Sequence, residues 1–257
     1  MRLLVYNIRY ATGTGFAFHL PLPGAGYLRS NTRALKDITQ FVHEQAPDVV
    51  ALVEVDTGSL RSGMVNQAHY IAKGLGWQTI YQCKYAKNSI SKSLPVFRKQ
   101  CNAFLVGPQI HGERFHYFDT GVKRLIIELE LKDAIIFLVH LSLKYRHRQW
   151  QLKTLHDLIV NATKPVIVAG DFNTFWGENE LFLFKQATRL TSANVKALAT
   201  FPSHAPRHEL DFILYGPGIT VTHFQVPKVE YSDHLPLVCD FEVNPIASMA
   251  MSNELKE

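Results

Sequence analysis

Runs of apolar residues with the length of a strand recur along the chain, separated by amphipathic segments. Leu35, Ile38, Phe41 and Val42 recur at helical spacing and predict a helix over residues 31–45, capped by Ser30 or Asn31 and ended by Pro47. Further helices are predicted at residues 65–75 and 146–162, with a weak one at 181–185. Strands are predicted at residues 2–8, 48–55, 77–83, 102–106, 125–131, 134–141, 210–215, 219–226 and 235–243, and a buried strand from Val166 ends in a turn by Thr174.

The order of these elements indicates the fold class. Helices and strands alternate irregularly, and residues 125–131 and 134–141 form a hairpin that turns at Lys132-Asp133. This order favours an α+β protein with mixed sheets packed on each other and helices outside, rather than one doubly wound parallel sheet. We expect one domain over residues 1–243 and a polar, disordered tail over 244–257.

Several predicted strands end in a polar residue of catalytic type. In the segment VIVAGDFNT, Asp171 and Asn173 follow a buried strand, and strand alternation would point both to one side. Alone, this segment is typical of an ordinary turn. The other strand-end residues are Asn7, Glu54, His140, Asp211, Asp233 and His234. Such groups are costly to bury unless they are paired or bind a metal, and acids and amides without a thiolate favour Mg²⁺ or Mn²⁺ over Zn²⁺.

Composition narrows the class of protein only moderately. The 257 residues carry a net charge of +5 with a pI near 9.0, which suits an anionic substrate, but the charge is too dispersed to establish nucleic-acid binding. The three cysteines are widely spaced and predict free thiols in a reducing compartment. No apolar run has the length of a membrane span, and the first residues lack a signal-peptide pattern. We therefore expect a cytoplasmic monomer.

The motifs together resemble the endonuclease/exonuclease/phosphatase superfamily, which includes deoxyribonuclease I and neutral sphingomyelinases. They are NIR at 7–9, LVEV around Glu54, HLSL at His140, GDFN at 170–173, TFPSHAP at 200–206, LDFILY around Asp211 and SDHLP at 232–236. The resemblance implies a deoxyribonuclease I-like four-layer sandwich of two packed mixed β-sheets flanked by helices. It also implies divalent-metal-dependent hydrolysis of a phosphodiester by an activated water.

The resemblance also implies roles for individual residues. Asn7 and Glu54 would hold the metal ion, with Asp233 as a further direct or water-bridged contact. Asp171 would activate water and Asn173 would position it, while His140 and His234 would stabilise the phosphate and Asp211 would orient His234. The alternative of His234 as the base stays open. Arg9, Asn102 and Arg124 are candidate contacts to the substrate phosphate, although a surface arginine and an internally bonded asparagine explain the last two equally well.

The substrate has alternatives in different classes. A nuclease-like activity is favoured by the basic loop at residues 84–99 and by Arg146 and Arg148 beside His140. A lipid or headgroup phosphodiesterase of the sphingomyelinase type is favoured by the apolar loop at 11–27, which follows Asn7. A phosphomonoesterase is a further alternative, and a non-catalytic phosphate-binding protein is the least favoured. Trp150 and Trp176 are most simply interpreted as packing residues.

Overall fold

The computed structural model describes residues 1–14, 31–83, 99–107, 110–121 and 124–244. The predicted apolar loop beyond residue 14, the basic loop at 84–98 and the tail from residue 245 lie outside the described residues. No helix among the described residues is both long enough and apolar enough to cross a membrane.

Four helices and twelve strands make up the described chain. The helices are α1 (Thr32–Glu44), α2 (Gln67–Leu75), α3 (Tyr145–Val160) and α4 (Phe182–Thr188). The strands are β1 (Arg2–Asn7), β2 (Val49–Asp56), β3 (Gln78–Cys83), β4 (Gln100–Val106), β5 (Gly112–Tyr117), β6 (Leu125–Glu130), β7 (Ile135–His140), β8 (Val166–Asp171), β9 (Thr191–Ser192), β10 (Asp211–Tyr215), β11 (Ile219–Gln225) and β12 (Leu237–Val243). Every helix predicted from the sequence is present, and the Asn31 side chain caps α1 by accepting a hydrogen bond from the Ala34 N–H.

The strands form two six-stranded sheets. The first has the order β11-β12-β1-β2-β4-β3 and the second has the order β5-β6-β7-β8-β10-β9. Each sheet contains one parallel pair, β1 with β2 and β7 with β8, and the other neighbours are antiparallel. The predicted mixed sheets are therefore confirmed, and so is the hairpin of β6 and β7.

The two sheets pack face to face, and helices cover their outer faces. Val5 and Ala51 of the first sheet share one apolar core with Leu138 and Ala169 of the second. On the outer face of the first sheet, alternate residues of β1 and β2 pack against α1 and α2. The outer face of the second sheet packs against α3 and α4. Because alternate side chains of a strand point to opposite faces, sheets covered on both sides require almost continuous apolar strands, and the four-layer sandwich follows.

Two strands were not predicted from the sequence. Edge strand β5 has the sequence GERFHY, whose charged residues reflect its largely solvent-exposed position at the sheet edge. Strand β9 contains only two residues and pairs with β10. Neither carries an apolar run, so the pattern on which strand prediction depends is absent.

Parallel pairing explains where a site can form. The carboxyl ends of β1 and β2 meet at one edge of the first sheet, and those of β7 and β8 meet at one edge of the second. Asp171 of β8 hydrogen-bonds Asn7 of β1, so the two edges face each other. We call this common end of the sandwich the site edge.

Candidate active site

Asp171 is the residue on which both sheets converge. Its Oδ2 accepts a hydrogen bond of 3.0 Å from the Asn7 amide and lies 3.2 Å from His140 Nε2. The same imidazole nitrogen lies 3.8 Å from Glu54 Oε1. Asp171, Asn7 and His140 are almost fully buried, whereas the Glu54 side chain keeps 15% of its surface exposed. Four predicted site residues, two from each sheet, therefore occupy one place.

Strand register aligns three of the polar residues in the second sheet. His140 pairs with Asp171 across the parallel β7–β8 ladder, and Asp171 pairs with Asp211 across the antiparallel β8–β10 ladder. Directly paired residues place their side chains on the same face of a sheet. The three side chains consequently form a row at the site edge.

His234 completes this row through Asp211. His234 Nδ1 lies 2.8 Å from Asp211 Oδ2, which also accepts a hydrogen bond of 2.7 Å from the Thr200 hydroxyl. Burial alone would lower the pKa of His234, but the charge and hydrogen bond of Asp211, with smaller effects of Asp233 and Asp171, together outweigh burial and raise that pKa to about 10. Burial raises the pKa of Asp211. The pair therefore holds one proton, and the surrounding carboxylates, Asp233 and Asp171 among them, favour its place on His234.

Glu54 reaches the site through a break in strand regularity. The register of β2 against β4 shifts between Leu52 and Val55, and Glu54 has a positive φ of 57°. A bulge of this kind turns a side chain away from its regular direction. The Glu54 N–H approaches Asn102 Oδ1 of β4 at 3.4 Å. The site therefore depends on a local distortion that the hydrophobic pattern of β2 does not encode.

A turn, rather than the alternation of side chains along a strand, places Asn173 at the site. Strand β8 ends at Asp171, and Asn173 has a positive φ of 54°. Its N–H donates to Asp171 Oδ1 at 2.9 Å, and its side-chain amide donates to the Leu141 carbonyl at 2.9 Å. The expectation that Asp171 and Asn173 share one side of an extended strand was wrong, because the strand stops before Asn173. The amide instead ties the turn after β8 to the turn after β7.

Asp233 and Arg9 form an ion pair beside the cluster. Arg9 Nη1 lies 2.9 Å from Asp233 Oδ2, and both side chains are partly exposed. The Arg9 N–H donates to Asn7 Oδ1 at 3.1 Å. The guanidinium thus neutralises the carboxylate that the resemblance assigned to the metal ion. The backbone N–H of Arg9 holds the amide oxygen of Asn7 in place.

The two remaining predicted contacts also lie at the site edge. Asn102 is 1% exposed, and its Nδ2 has no hydrogen-bond partner within the described residues. A buried donor of this kind is costly unless a ligand satisfies it. Arg124 precedes β6, beside the carboxyl end of β7, and its Nε donates to the Gly121 carbonyl at 2.7 Å. Asn102 is therefore buried within the cluster, whereas Arg124 lies at the periphery of the cluster.

Other side chains at this edge differ from the sequence expectations. Thr200, which was not predicted as a site residue, holds Asp211; only its place in the TFPSHAP motif pointed to it. Arg148, predicted to help bind nucleic acid, is fully buried and pairs with Glu180. Trp150 and Trp176, interpreted as packing residues, are 54% and 80% exposed, so packing does not account for most of either side chain.

The donor set suits a hard divalent cation. The carboxylates of Asp171 and Asp211 lie within 4.8 Å of each other and of a ring nitrogen of His234, which as a protonated group is not itself a ligand. Glu54 and the amide oxygen of Asn7 add oxygen donors next to Asp171. Carboxylate and amide oxygens are the ligands that Mg²⁺ and Mn²⁺ prefer. The unpartnered Asn102 amide is a donor group, so it fits a phosphate oxygen or a water rather than the cation.

The fold and this arrangement of residues define the class of protein. The model of the Endonuclease/Exonuclease/phosphatase family matches residues 4–234, and the chain belongs to this family. Members of the family are in general phosphoesterase hydrolases and are typically dependent on a divalent metal ion.

Individual similar proteins are more distant. A UPF0294 protein of Vibrio parahaemolyticus is 34% identical over 98 residues, which are 37% of this chain and 34% of that protein. The match thus spans about a third of the length of this relative. An endonuclease/exonuclease/phosphatase structure from Beutenbergia cavernae has a TM-score of 0.70 at 19% identity, covering 95% of this chain and 72% of that one. The human Nocturnin catalytic domain has a TM-score of 0.65 at 20% identity, covering 95% and 94%. These structural likenesses concern the fold.

Proposed function

We propose that the chain is a divalent-metal-dependent phosphodiesterase in which a water molecule attacks the phosphorus atom. The observation that carries this proposal is the position of Asp171, whose Oδ2 lies within 3.2 Å of both Asn7 and His140 at the meeting point of the two sheets. A carboxylate fixed by two neighbours where the two sheets meet is suited to orient a water and accept its proton.

The other residues divide the remaining chemistry. Glu54 and Asn7 would hold Mg²⁺ or Mn²⁺, which supplies positive charge to a phosphate oxygen and to the leaving oxygen. Asp233, paired with Arg9, would contribute at most through a water. The new P–O bond forms as the water proton passes to Asp171, and the bond to the leaving oxygen breaks.

Hydrogen-bond donors would hold the phosphate oxygens. Protonated His234, together with His140 and the Asn102 amide, would donate to oxygens that gain charge in the transition state. Asn173 would position the water, and Arg9 and Arg124 would contact the outer phosphate oxygens.

The test is a substitution that keeps shape and removes charge. We expect Asp171→Asn to lower turnover of bis-p-nitrophenyl phosphate by about 10²- to 10⁴-fold, because the amide cannot accept the water proton. Asp240→Asn is the matched control and should keep full turnover, because Asp240 binds Arg2 at the opposite end of β1 from Asn7. Equal turnover of the Asp171 variant and the control would disprove the assignment.

Chelation tests the metal ion separately. We expect EDTA to abolish turnover and added Mg²⁺ or Mn²⁺ to restore it, since the carboxylate cluster would lose the cation that balances its charge. Activity that persists in EDTA would contradict a metal-dependent mechanism while leaving the role of Asp171 to be judged by its own variant.

Two classes of natural phosphodiester fit this chemistry. A nucleic acid is favoured by the net charge of +5, although Arg148 no longer contributes to a basic surface. A phospholipid or its headgroup is favoured by exposed apolar side chains beside the site, such as Leu143 and Trp176. A screen of oligonucleotides, phospholipids and phosphomonoesters, with the Asp171→Asn variant as the blank, distinguishes these substrates.

A further inference from the structure

Two loops at the site edge, together with the first turns of the helices that follow them, carry large apolar side chains that are exposed to solvent. One loop follows β7 and leads into α3, and the other follows β8 and leads into α4. We call the six exposed side chains of these two segments the apolar rim: Leu143 (62% exposed), Tyr145 (53%), Phe175 (39%), Trp176 (80%), Phe182 (56%) and Leu183 (78%). Isolated exposed apolar residues are ordinary, but a group of six on two adjoining segments indicates a binding surface.

A buried arginine joins the two loops. Arg148 is fully buried, and its Nη1 donates to the carbonyls of Ser142 and Leu143 at 2.8 and 3.0 Å. Its Nε and Nη2 bind Glu180 Oε2, with 3.0 Å for the Nε contact. The other Glu180 oxygen accepts a hydrogen bond of 3.0 Å from the Trp176 N–H. A buried ion pair is costly to build, and this one keeps Leu143 and Trp176 on adjacent, fixed backbones.

The apolar rim is continuous with the candidate active site. Asn173 donates to the Leu141 carbonyl, so both loops leave the site at the same point. The Phe175 ring lies 6.0 Å from that of Phe201, which lies 4.9 Å from the imidazole of His234. A molecule that covers the rim therefore also reaches the phosphate-binding side chains.

The chemistry of the rim favours a membrane surface over a nucleic acid. Exposed Lys144 and Arg146 alternate with Leu143 and Tyr145, and the whole chain is cationic. Exposed tryptophan and leucine beside lysine and arginine suit the headgroup layer of a bilayer with anionic lipids. Surfaces that bind single-stranded nucleic acid depend on aromatic stacking, to which aliphatic side chains such as Leu143 and Leu183 contribute nothing.

We propose that the apolar rim inserts into the surface of a phospholipid bilayer and presents a headgroup phosphodiester to the site. This inference rests on the proposed phosphodiesterase function for its substrate, but the insertion itself can be measured without turnover. Its tests therefore use the whole 257-residue chain carrying Asp171→Asn.

Vesicle sedimentation tests the aliphatic part of the rim. The vesicles contain phosphatidylcholine mixed with phosphatidylserine. We expect the double substitution Leu143→Ser with Leu183→Ser to weaken the partition constant by about tenfold or more, because two leucine side chains would no longer enter the lipid. The control is Val160→Ser: Val160 is 41% exposed at the other end of α3, about 22 Å along the helix axis from Tyr145. It should bind like the unsubstituted chain.

Fluorescence tests the position of Trp176. We expect brominated phospholipids to quench the emission of the chain, and Trp176→Phe to remove most of that quenching, whereas Trp150→Phe should leave it intact. Absence of vesicle binding, or equal loss in the rim and Val160 variants, would overturn the proposal. Salt-sensitive quenching by an oligonucleotide without any effect of vesicles would assign the rim to nucleic acid instead. Either result leaves the test of hydrolysis by Asp171 unaffected.

Discussion

At the scale of single residues, the contact between His234 and Asp211 decides how the site is charged. Burial on all sides removes water from both groups, and the contact of 2.8 Å then favours one shared proton. With a pKa of about 10, His234 is a cation at neutral pH. A protonated histidine suits stabilisation of phosphate oxygens, whereas a histidine that acts as a general base must be unprotonated. This difference favours the Asp171 carboxylate as the proton acceptor.

The same pair predicts a dependence of stability on pH. The pKa of His234 is higher in the folded chain than the usual 6.5, so its stabilisation is complete below pH 6.5 and is lost as pH rises towards 10. We expect the free energy of unfolding to fall between pH 7 and 10 in urea titrations. Asp211→Asn should flatten this fall and cost about 3 kcal/mol at pH 7, since it removes the carboxylate that holds the proton.

The control for this experiment is Asp240→Asn. Arg2 lowers the pKa of Asp240 through their hydrogen bond, so that pair contributes above the usual carboxyl pKa and loses its contribution only in acid. The control should therefore show the unchanged fall between pH 7 and 10. A fall of the same size in the Asp211 variant would contradict a protonated His234.

At the scale of elements, Gly170 allows β7 and β8 to bring His140 and Asp171 together. Gly170 has a φ of +135°, and an added Cβ would lie 2.0 Å from the Val139 carbonyl oxygen of the neighbouring strand. Since backbone atoms of a central strand cannot move aside cheaply, only glycine fits directly before Asp171.

Substitution of Gly170 tests this constraint. We expect Gly170→Ala to destabilise the fold by about 3 kcal/mol or more in urea unfolding, through steric overlap and an unfavourable φ. Gly76→Ala is the matched control, because Gly76 also has a positive φ but an added Cβ would meet nothing within 4 Å. It should cost about 1 kcal/mol. Equal effects of the two substitutions would show that φ alone, not the approach of Val139, requires glycine.

The turn after β2 depends on a buried ion pair. Arg61 Nη2 lies 2.8 Å from Asp56 Oδ2, and both side chains are fully buried. The guanidinium also lies 3.7 Å above the ring of Tyr10, in the turn that follows Asn7. The pair thus connects the turns beyond the two strands that supply Asn7 and Glu54.

Removal of Arg61 should show how much a buried and unpaired Asp56 carboxylate destabilises the fold. We expect Arg61→Met to destabilise the fold by about 3–5 kcal/mol in urea unfolding, because it leaves the Asp56 carboxylate buried without its cation. Arg114→Met removes a cation that is 66% exposed and paired with Glu128, and it should change stability little. A small effect at both sites would mean that hydrogen bonds from the turn alone satisfy Asp56.

At the scale of the whole molecule, the core between the sheets protects groups far from the site. Cys239 of β12 is 1% exposed within this core, and burial raises the pKa of its thiol to about 12. The thiolate is the reactive form, so the folded chain should leave this thiol unmodified at pH 8.

Alkylation measures this protection. We expect iodoacetamide at pH 8 to leave Cys239 unlabelled in the native chain and to label it in urea, as read by peptide mass spectrometry. Thr222→Cys, at an exposed position of neighbouring β11, is the positive control and should be labelled in the folded chain. Rapid native labelling of Cys239 would indicate that the sheets separate locally.

Much of the architecture could be predicted from the sequence, because strands buried on both faces leave a continuous apolar pattern and α1 leaves a helical one. Edge strand β5 has no such apolar pattern, since its side chains largely face solvent. The strand-end positions of Asn7, His140 and Asp171 could be predicted for the same reason that the strands could. Trp176 could not, because an aromatic side chain in a loop has the same sequence signature whether it is packed or exposed.

Local order along the chain thus accounts for which residues end the strands and for the family to which the motifs belong. Contacts between distant segments settle the rest: the meeting of Asn7 with Asp171 across 164 positions, and the outward turn of the loop that carries Trp176. The buried Arg148–Glu180 pair also depends on such contacts, since the sequence around Arg148 indicates only an exposed basic residue. Hydrophobic periodicity is a property of each element, whereas the pairing of charges and the exposure of a loop depend on which elements pack together.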